Sequence, residues 1–226
     1  MEQNDLPILK RSKLFSGIDD KEIKAMLSCL SAERKKYKKG EHILRYGDPV
    51  SWIGLVITGS VDVIKEDYWG NRNIVAAILP GQSFAESYAC AGNIPLGVSV
   101  LTAQDSEILW MNIQKILTAC SSACAFHARL IRNLVSLLAS KNLMMNEKLT
   151  YLAQRSTREK LLSYLSAESM RQHVSSFSIP FDRQQLADYL SVDRSAMSNE
   201  LSKMRKEGIL QYDKNHFLLL QPMDMK

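Results

Sequence analysis

The spacing of apolar positions changes along the chain, and each change marks a different kind of structure. Over residues 6–31, Leu14, Phe15, Ile18, Ile23, Met26, Leu27 and Leu30 recur three and four apart, the spacing of short amphipathic helices. Asp19 followed by Glu22 has the separation of a reciprocal helix cap. From Arg34 to about residue 111 the pattern turns into short β-rich runs at 42–44, 52–57, 60–64, 74–79, 97–102 and 106–110. Gly40, Gly47-Asp48-Pro49, Thr58-Gly59, Trp69-Gly70-Asn71 and Pro80-Gly81 are the turn signals between them. Short strands and tight turns in this density predict a small barrel or jelly roll, whose closure protects the sheet edges.

After Met111 the helical period returns. Asn112 is placed to cap a helix from Ile113 to Thr118. A long helix is then expected from about Ala123 to Ala153, with an apolar stripe of Phe126, Leu130 or Ile131, Leu134, Leu137 or Leu138, Met144 or Met145, and Leu149. Such length suits a coiled-coil-like partner interface, for which Phe126, Leu130, Leu134, Leu138 and Met145 are the candidates. Another helix begins at Arg158–Leu165 with Leu161, Leu162 and Leu165 inward, and Ser175–Pro180 reads as a short strand.

Residues 181–208, FDRQQLADYLSVDRSAMSNELSKMRKEG, carry the clearest chemistry. Asp182 with Gln185 forms a capping box for a short helix through Leu190, burying Leu186, Ala187 and Leu190. Ser191-Val192 is the turn, and Asp193 caps a second helix, Arg194 to Lys206, stopped by Gly208. Met197, Leu201 and Met204 give that helix one apolar face. Arg194, Ser195, Ser198, Asn199, Ser202 and Lys203 are left on the opposite face or flanks. A helix that enters a major groove needs donors and acceptors for base edges and cations for phosphates, and this set supplies both. Residues 209–212 and 215–220, split by Asp213-Lys214, are expected to form a two-stranded wing. Without the wing and the polar face, the same helices would read as a hairpin for protein contacts.

Composition narrows the field. The 226 residues are 46% hydrophobic and 23% charged, with a formal net charge of +5, which permits a polyanionic partner without requiring one. Cys29, Cys90, Cys120 and Cys124 form no C-x-x-C pair, so reduced thiols in a cytosol fit better than a disulfide scaffold. The N-terminus lacks a basic-then-apolar signal, and no apolar run reaches the roughly 20 residues of a membrane span. No nucleophile elbow, phosphate loop or zinc-protease helix is present, so an enzyme is not expected.

In this order, the glycine-punctuated β pattern of 34–111, the long helix and the 194–207 helix with its wing resemble the Crp/Fnr family of transcription regulators, named for the cyclic-AMP receptor and the fumarate-nitrate-reduction regulator. The resemblance implies an α+β fold: a cyclic-nucleotide-binding-like jelly roll with N-terminal helices over 1–122, a dimerisation helix over 123–153, and a C-terminal winged helix-turn-helix over 154–226. It also implies a cytoplasmic homodimer on a palindromic double-stranded DNA operator, contact with RNA polymerase, and no membrane partner. Arg194, Ser195 and Asn199 fall where such regulators read base edges. Ser195 replaces a frequent glutamate and Asn199 a common arginine, so the operator of the best-known members does not carry over.

The effector is less legible. In cyclic-nucleotide-binding relatives, a glycine-glutamate turn and an arginine ten residues beyond the glutamate grip sugar and cyclic phosphate. Here Gly81–Glu86 resembles the turn with Glu86 in the sugar-contacting place, but Leu96 stands where the arginine would be and Gly97 where a serine is usual. Met145 and Asn146 replace the small hydroxyl residues that meet the base. A buried phosphodiester needs a cation or several donors, so cyclic AMP and cyclic GMP are not expected. A pocket walled by Ile94, Leu96, Val98 and Met144 or Met145 suits a small apolar or weakly polar effector, or none, which would leave a constitutive regulator with a degenerate pocket. A redox-, haem- or nitric-oxide-responsive regulator is the other alternative, through Cys90 as a thiol sensor or through His42, His127 or Cys90 as axial haem ligands. Cys120 and Cys124 read first as buried apolar residues, His173 and His216 as solvated, and no metal site is expected. Arg34, Lys35, Lys36, Lys38 and Lys39 read as a solvated barrel rim.

Overall fold

In the computed structural model the chain divides into two compact units, Met1–Ser140 and Lys141–Lys226. Residues 5–66, 68–69, 72–118 and 125–220 are described, with backbone alone at 72, 73 and 125. Cys120, Cys124 and the Gly70-Asn71 part of the predicted turn lie outside them.

The first unit opens with α1 (Leu6–Arg11), a tight 3-10 turn (Lys13–Phe15) and α2 (Asp20–Cys29). The Glu22 carboxylate accepts the Asp19 N–H at 3.0 Å, closing the start of α2 as its spacing predicts. Strands β1 (Glu33–Tyr37), β2 (His42–Leu44), β3 (Trp52–Thr58), β4 (Val61–Glu66), β5 (Arg72–Ile78) and β6 (Ser83–Phe84) follow. Then come α3 (Glu86–Ala91), β7 (Ser99–Thr102), β8 (Ser106–Asn112), α4 (Ile113–Leu117) and α5 (Ala125–Leu152). The strands form two antiparallel four-stranded sheets, ordered β1-β8-β3-β6 and β2-β7-β4-β5, which is the expected jelly roll. Asn112 caps α4, its Oδ1 accepting from the N–H groups of Gln114 and Lys115 at 2.9 and 3.2 Å.

Strands β3 and β8 are apolar on both faces because both faces are covered. Ile53, Leu55, Ile57, Leu109 and Met111 pack against a helical layer that includes Leu14, Ile23, Met26, Ile116, Leu130 and Leu134. Val56, Ile108 and Trp110 face between the sheets, among Val61, Ile78, Phe84 and Val100. Gly54 sits on the inner face of β3, where a Cβ would come within 2.3 Å of the Phe84 ring, so glycine is what lets the end of that ring come against the strand.

The lysines of the basic run around β1 are exposed, as a solvated rim requires, and Arg34 is the exception. Arg34 is half-buried and ion-pairs with Asp5 and Glu107, Lys36 pairs with Glu107 at 2.9 Å, and Lys38 pairs with Asp105 at 2.9 Å. Glu107 is the β8 residue in register with Lys36, so sheet pairing itself brings the carboxylate to the cations. The Lys36 and Arg34 hydrogen bonds hold the Glu107 carboxyl below the usual carboxylate range.

The second unit holds α6 (Thr157–Gln172), β9 (Ser176–Ser178), α7 (Arg183–Leu190), α8 (Arg194–Lys206), β10 (Leu210–Asp213) and β11 (His216–Leu219). Its sheet has three strands, ordered β10-β11-β9, where the sequence suggests two: the 175–180 segment joins the wing, with Phe177 in register with Phe217. His216 is exposed but not simply solvated. Its ring nitrogens lie 3.0 Å from the hydroxyls of Ser176 and Ser178 on the neighbouring strand.

Candidate nucleic-acid interface and effector pocket

The helix pair α7–α8 forms as its local sequence dictates. Asp182 accepts the Gln185 N–H at 2.8 Å while Gln185 Oε1 accepts the Asp182 N–H at 2.9 Å, a closed capping box. Ser191 ends α7 in the left-handed region at φ 51°, turning the chain within two residues toward Asp193, whose carboxylate accepts the Ala196 N–H at 2.7 Å. Met197, Leu201 and Met204 are fully buried, in one core with Leu186, Ala187, Leu190, Leu161 and Phe217. With that face anchored, Arg194, Ser195, Asn199, Ser202 and Lys203 are exposed and Ser198 is half-buried.

The polar face is sorted by reach. Ser198 and Ser202 turn their hydroxyls back to the carbonyls of Arg194 and Ser198, both at 2.9 Å. Among the described residues Arg194 and Asn199 have no side-chain partner within the chain, and they stand at the N-terminal end of the helix. Lys203, Arg205 and Lys206 crowd its last turn. The acids on or beside α8 are held aside: Arg158 of α6 pairs with Glu200 at 3.3 Å and with Glu207 through both guanidinium nitrogens. Sequence reasoning missed this clamp; Glu200 is also within 3.5 Å of Lys203.

Aromatic rings hold the rest of the domain. Arg183, the first residue of α7, stacks over Tyr212 and Phe217 of the wing, with its guanidinium 4.6 and 5.1 Å from their centroids, and burial lowers its pKa from the usual arginine value. Tyr164 meets Tyr151 and Tyr189 edge-on at 5.6 Å, and Tyr189 stacks on Phe181 at 4.7 Å. Lys148 lies 4.9 Å from the Tyr189 ring. The last turns of α5 therefore belong to the recognition domain's packing. Burial pushes the Tyr151 phenol up to about 12 and raises Tyr164 further.

In the jelly roll, Glu86 is buried at the start of α3. The preceding Ala85 holds φ at 65°, a left-handed conformation that costs a side-chain-bearing residue about 1–2 kcal/mol. Leu96 is buried and strapped to the 45–48 turn, its N–H donating to the Asp48 carbonyl at 3.0 Å and its carbonyl accepting from Gly47 at 2.8 Å. The Gly97 N–H donates to the Tyr88 hydroxyl at 3.2 Å, and a Cβ at 97 would meet that hydroxyl at 3.0 Å. Tyr88 thus stands where a side chain at 97 would reach. Ile94, expected to wall the pocket, is exposed, while Val98 is half-buried. Met145 and Asn146 are exposed and fall in the second unit.

Cys90 is half-buried against the helical core, and burial, then the Glu86 charge, pushes its thiol up, which opposes a reactive thiolate. His127 is buried with Nε2 2.9 Å from the Ile116 carbonyl, a packing role rather than an open ligand position. Among the described residues no cluster of three or more His, Cys, Asp or Glu is placed to hold a metal ion.

The long helix corrects one expectation. Leu130 and Leu134 are buried in the core of their own unit, with Leu137, and Phe126 and Leu138 pack partly against it. Leu130 and Leu134 point inward because the helix needs an apolar stripe for its own barrel. A second row, Ile131, Val135, Leu138, Asn142, Met145 and Leu149, runs four and three apart along α5, and Val135, Met145 and Leu149 of that row are exposed.

Comparison with known proteins gives these arrangements a context. The cyclic nucleotide-binding domain family matches residues 34–123 and the Crp-like helix-turn-helix domain family matches residues 159–226. The chain belongs to the Crp/Fnr family of transcription regulators. Members of the family are DNA-binding regulators rather than enzymes. The fold is shared with the catabolite activator protein of Thermus thermophilus, at 24% identity over 92% of this chain and 93% of that one, TM-score 0.54. It is shared with CprK in complex with OCPA, at 11% identity over 88% of this chain and 89% of that one, TM-score 0.64. The c-di-GMP-responsive regulator CLP of Xanthomonas campestris is similar at 18% identity over 88% of this chain and 100% of that one, TM-score 0.55. No match is found among curated proteins. In this Crp/Fnr chain no described helix is long and apolar enough to cross a membrane.

Proposed function

We propose that this Crp/Fnr regulator works in the cytoplasm as a homodimer on a two-fold symmetric operator, contacts RNA polymerase there, and answers to a small effector other than cyclic AMP. The observation that carries the reading is the division of α8. Its apolar face is fully buried, while Arg194 and Asn199 are exposed with no side-chain partner among the described residues, and Glu200 is paired with Arg158. Arg194 and Asn199 are assigned to base edges, Ser195, Ser198 and Ser202 to their flanks, and Lys203 to phosphate. The exposed row of α5 is assigned to the partner copy, with Leu138, Met145 and Leu149 as its main apolar contacts and Asn142 among them. Cyclic nucleotides are disfavoured because Leu96 is buried, uncharged and fixed by its backbone.

The test is fluorescence anisotropy with operator and scrambled duplexes across salt concentrations. A sequence-preferring complex that weakens steeply with salt is expected. Equal affinity for both duplexes, or none for either, overturns the reading. Calorimetry with cyclic AMP is expected to give no saturable signal. Tyr88 against Gly97 and the buried Leu96 favour a second reading, a constitutive regulator, which operator affinity indifferent to every small molecule would support.

A further inference from the structure

We infer that the jelly roll carries a ligand site at the edge opposite Glu86: a slot for a small, uncharged, planar aromatic molecule with one hydrogen-bond acceptor. It rests on the effector-responsive reading only for its regulatory meaning. Phe84, on β6, brings the end of its ring against Gly54 and meets Trp110 edge-on, centroids 5.4 Å apart at 77°. That ring packs with Val56, Ile78 and Val100 in the core between the sheets, on the side where α3 begins.

At the other edge of that sheet, three strands from β6, there is open space. A cavity of about 300 Å³ lies between the β1–β2 edge and the loop into β3, lined by Tyr37, Ile43, Leu44, Val50, Trp52 and Trp110. That volume is at the lower end of those that hold small ligands. Its lining differs from an ordinary gap between sheets in having indole and phenol rings with aliphatic walls, the surface that planar π-systems pack against. Tyr37, Ile43, Leu44 and Trp52 pack only partly into the interior core, so their remaining faces are available.

The polar chemistry is specific. Trp110 Nε1–H donates to the Tyr37 hydroxyl at 3.1 Å. The phenol oxygen is thus used as an acceptor, and its own O–H is left to donate. The charges at the mouth, Lys35 and Glu33, lie 3.6 Å apart and offset each other, so nothing there selects an anion. An ionised ligand would lose hydration without a dedicated partner, whereas a neutral acceptor gains the Tyr37 hydrogen bond.

Quinoline, a neutral planar acceptor, and naphthalene, of the same shape without one, are the probes, with 1-naphthoate as the charged control. Quenching of Trp52 and Trp110 fluorescence is followed in full-length Trp69→Phe protein. Quinoline is expected to quench saturably, and Tyr37→Phe to weaken it about fivefold while leaving naphthalene unchanged. Leu44→Trp, which fills the slot, is expected to abolish both, and 1-naphthoate to bind at least about tenfold more weakly than quinoline. The inference is overturned by non-saturable quenching, by Tyr37→Phe acting equally on both neutral probes or on neither, or by naphthoate matching quinoline. Operator binding is measured on the same samples. Intact DNA binding with no quinoline binding removes the slot and leaves the regulator reading standing, while loss of specific DNA binding with retained quinoline binding does the reverse.

Discussion

The two ends of this regulator place their chemistry in opposite ways. In the C-terminal domain the apolar residues of α8 are sealed inside and its working groups stand outward on one short segment. In the jelly roll the surface charges are spent on one another, as Arg34, Lys36 and Lys38 show, and the distinctive groups face inward from strands distant in sequence. On the outer face of α8, Arg194 and Asn199 stand without side-chain partners among the described residues, while Ser198 and Ser202 bond back to their own helix. A chamber that must recognise something small gathers rings from several strands. The difference teaches that net charge is a poor guide here: the densest basic run is paired with acids of its own unit, whereas Arg194 of α8 has no side-chain partner among the described residues.

Substitutions on the two faces of α8 give the sharpest test of this contrast. Leu201→Asp places an unpaired charge among fully buried neighbours and is expected to cost about 3–5 kcal/mol, unfolding the C-terminal domain in thermal denaturation followed by circular dichroism. Ser195→Asp, on the exposed face, is expected to leave stability within about 0.5 kcal/mol and to abolish operator binding. If both variants behave alike, the division of the helix is wrong. Next in size, Met145→Glu with Leu149→Glu, both exposed, is expected to give a folded monomer in sedimentation, whereas Leu134→Glu is expected to unfold the first unit. A dimer that survives the double change moves the interface elsewhere. Arg194→Ala and Asn199→Ala are each expected to cost about 1–3 kcal/mol of operator discrimination with little change in stability. Specificity unchanged in both removes the base-reading assignment.

The smallest effect concerns alkali. The Tyr151 phenol is raised in the fold, so its contribution to stability is fully present below the unfolded value of 10.0 and is lost as pH rises through about 12. Absorbance at 295 nm should show a late-titrating tyrosine population together with loss of helical signal. Tyrosines that all ionise near their ordinary value would deny the aromatic packing.

Much of this was legible in the sequence, and the boundary of legibility is physical. The Asp193 cap, the Met197, Leu201 and Met204 face and the turn at Ser191 are set within a few residues, so local periodicity suffices to find them. The jelly roll was legible from its glycine turns. The third strand of the wing was not, because Phe177 pairs with Phe217 across a long stretch of chain. Nor was the role of Leu130 and Leu134, since a stripe facing one's own barrel and a stripe facing a partner have the same period. The slot of Tyr37, Trp52 and Trp110 had no motif at all. Its members meet only after β1, β3 and β8 are aligned, and the Arg158 clamp likewise depends on how α6 crosses α8.

Strand β8 has a mechanical meaning of its own. Trp110 is turned into the chamber between the sheets, while its immediate neighbours Leu109 and Met111 are turned into the layer that seats the first half of α5. A strand cannot move one residue and leave the next behind. The indole and the bedding of the helix are thus two sides of one partition, a single strand thick.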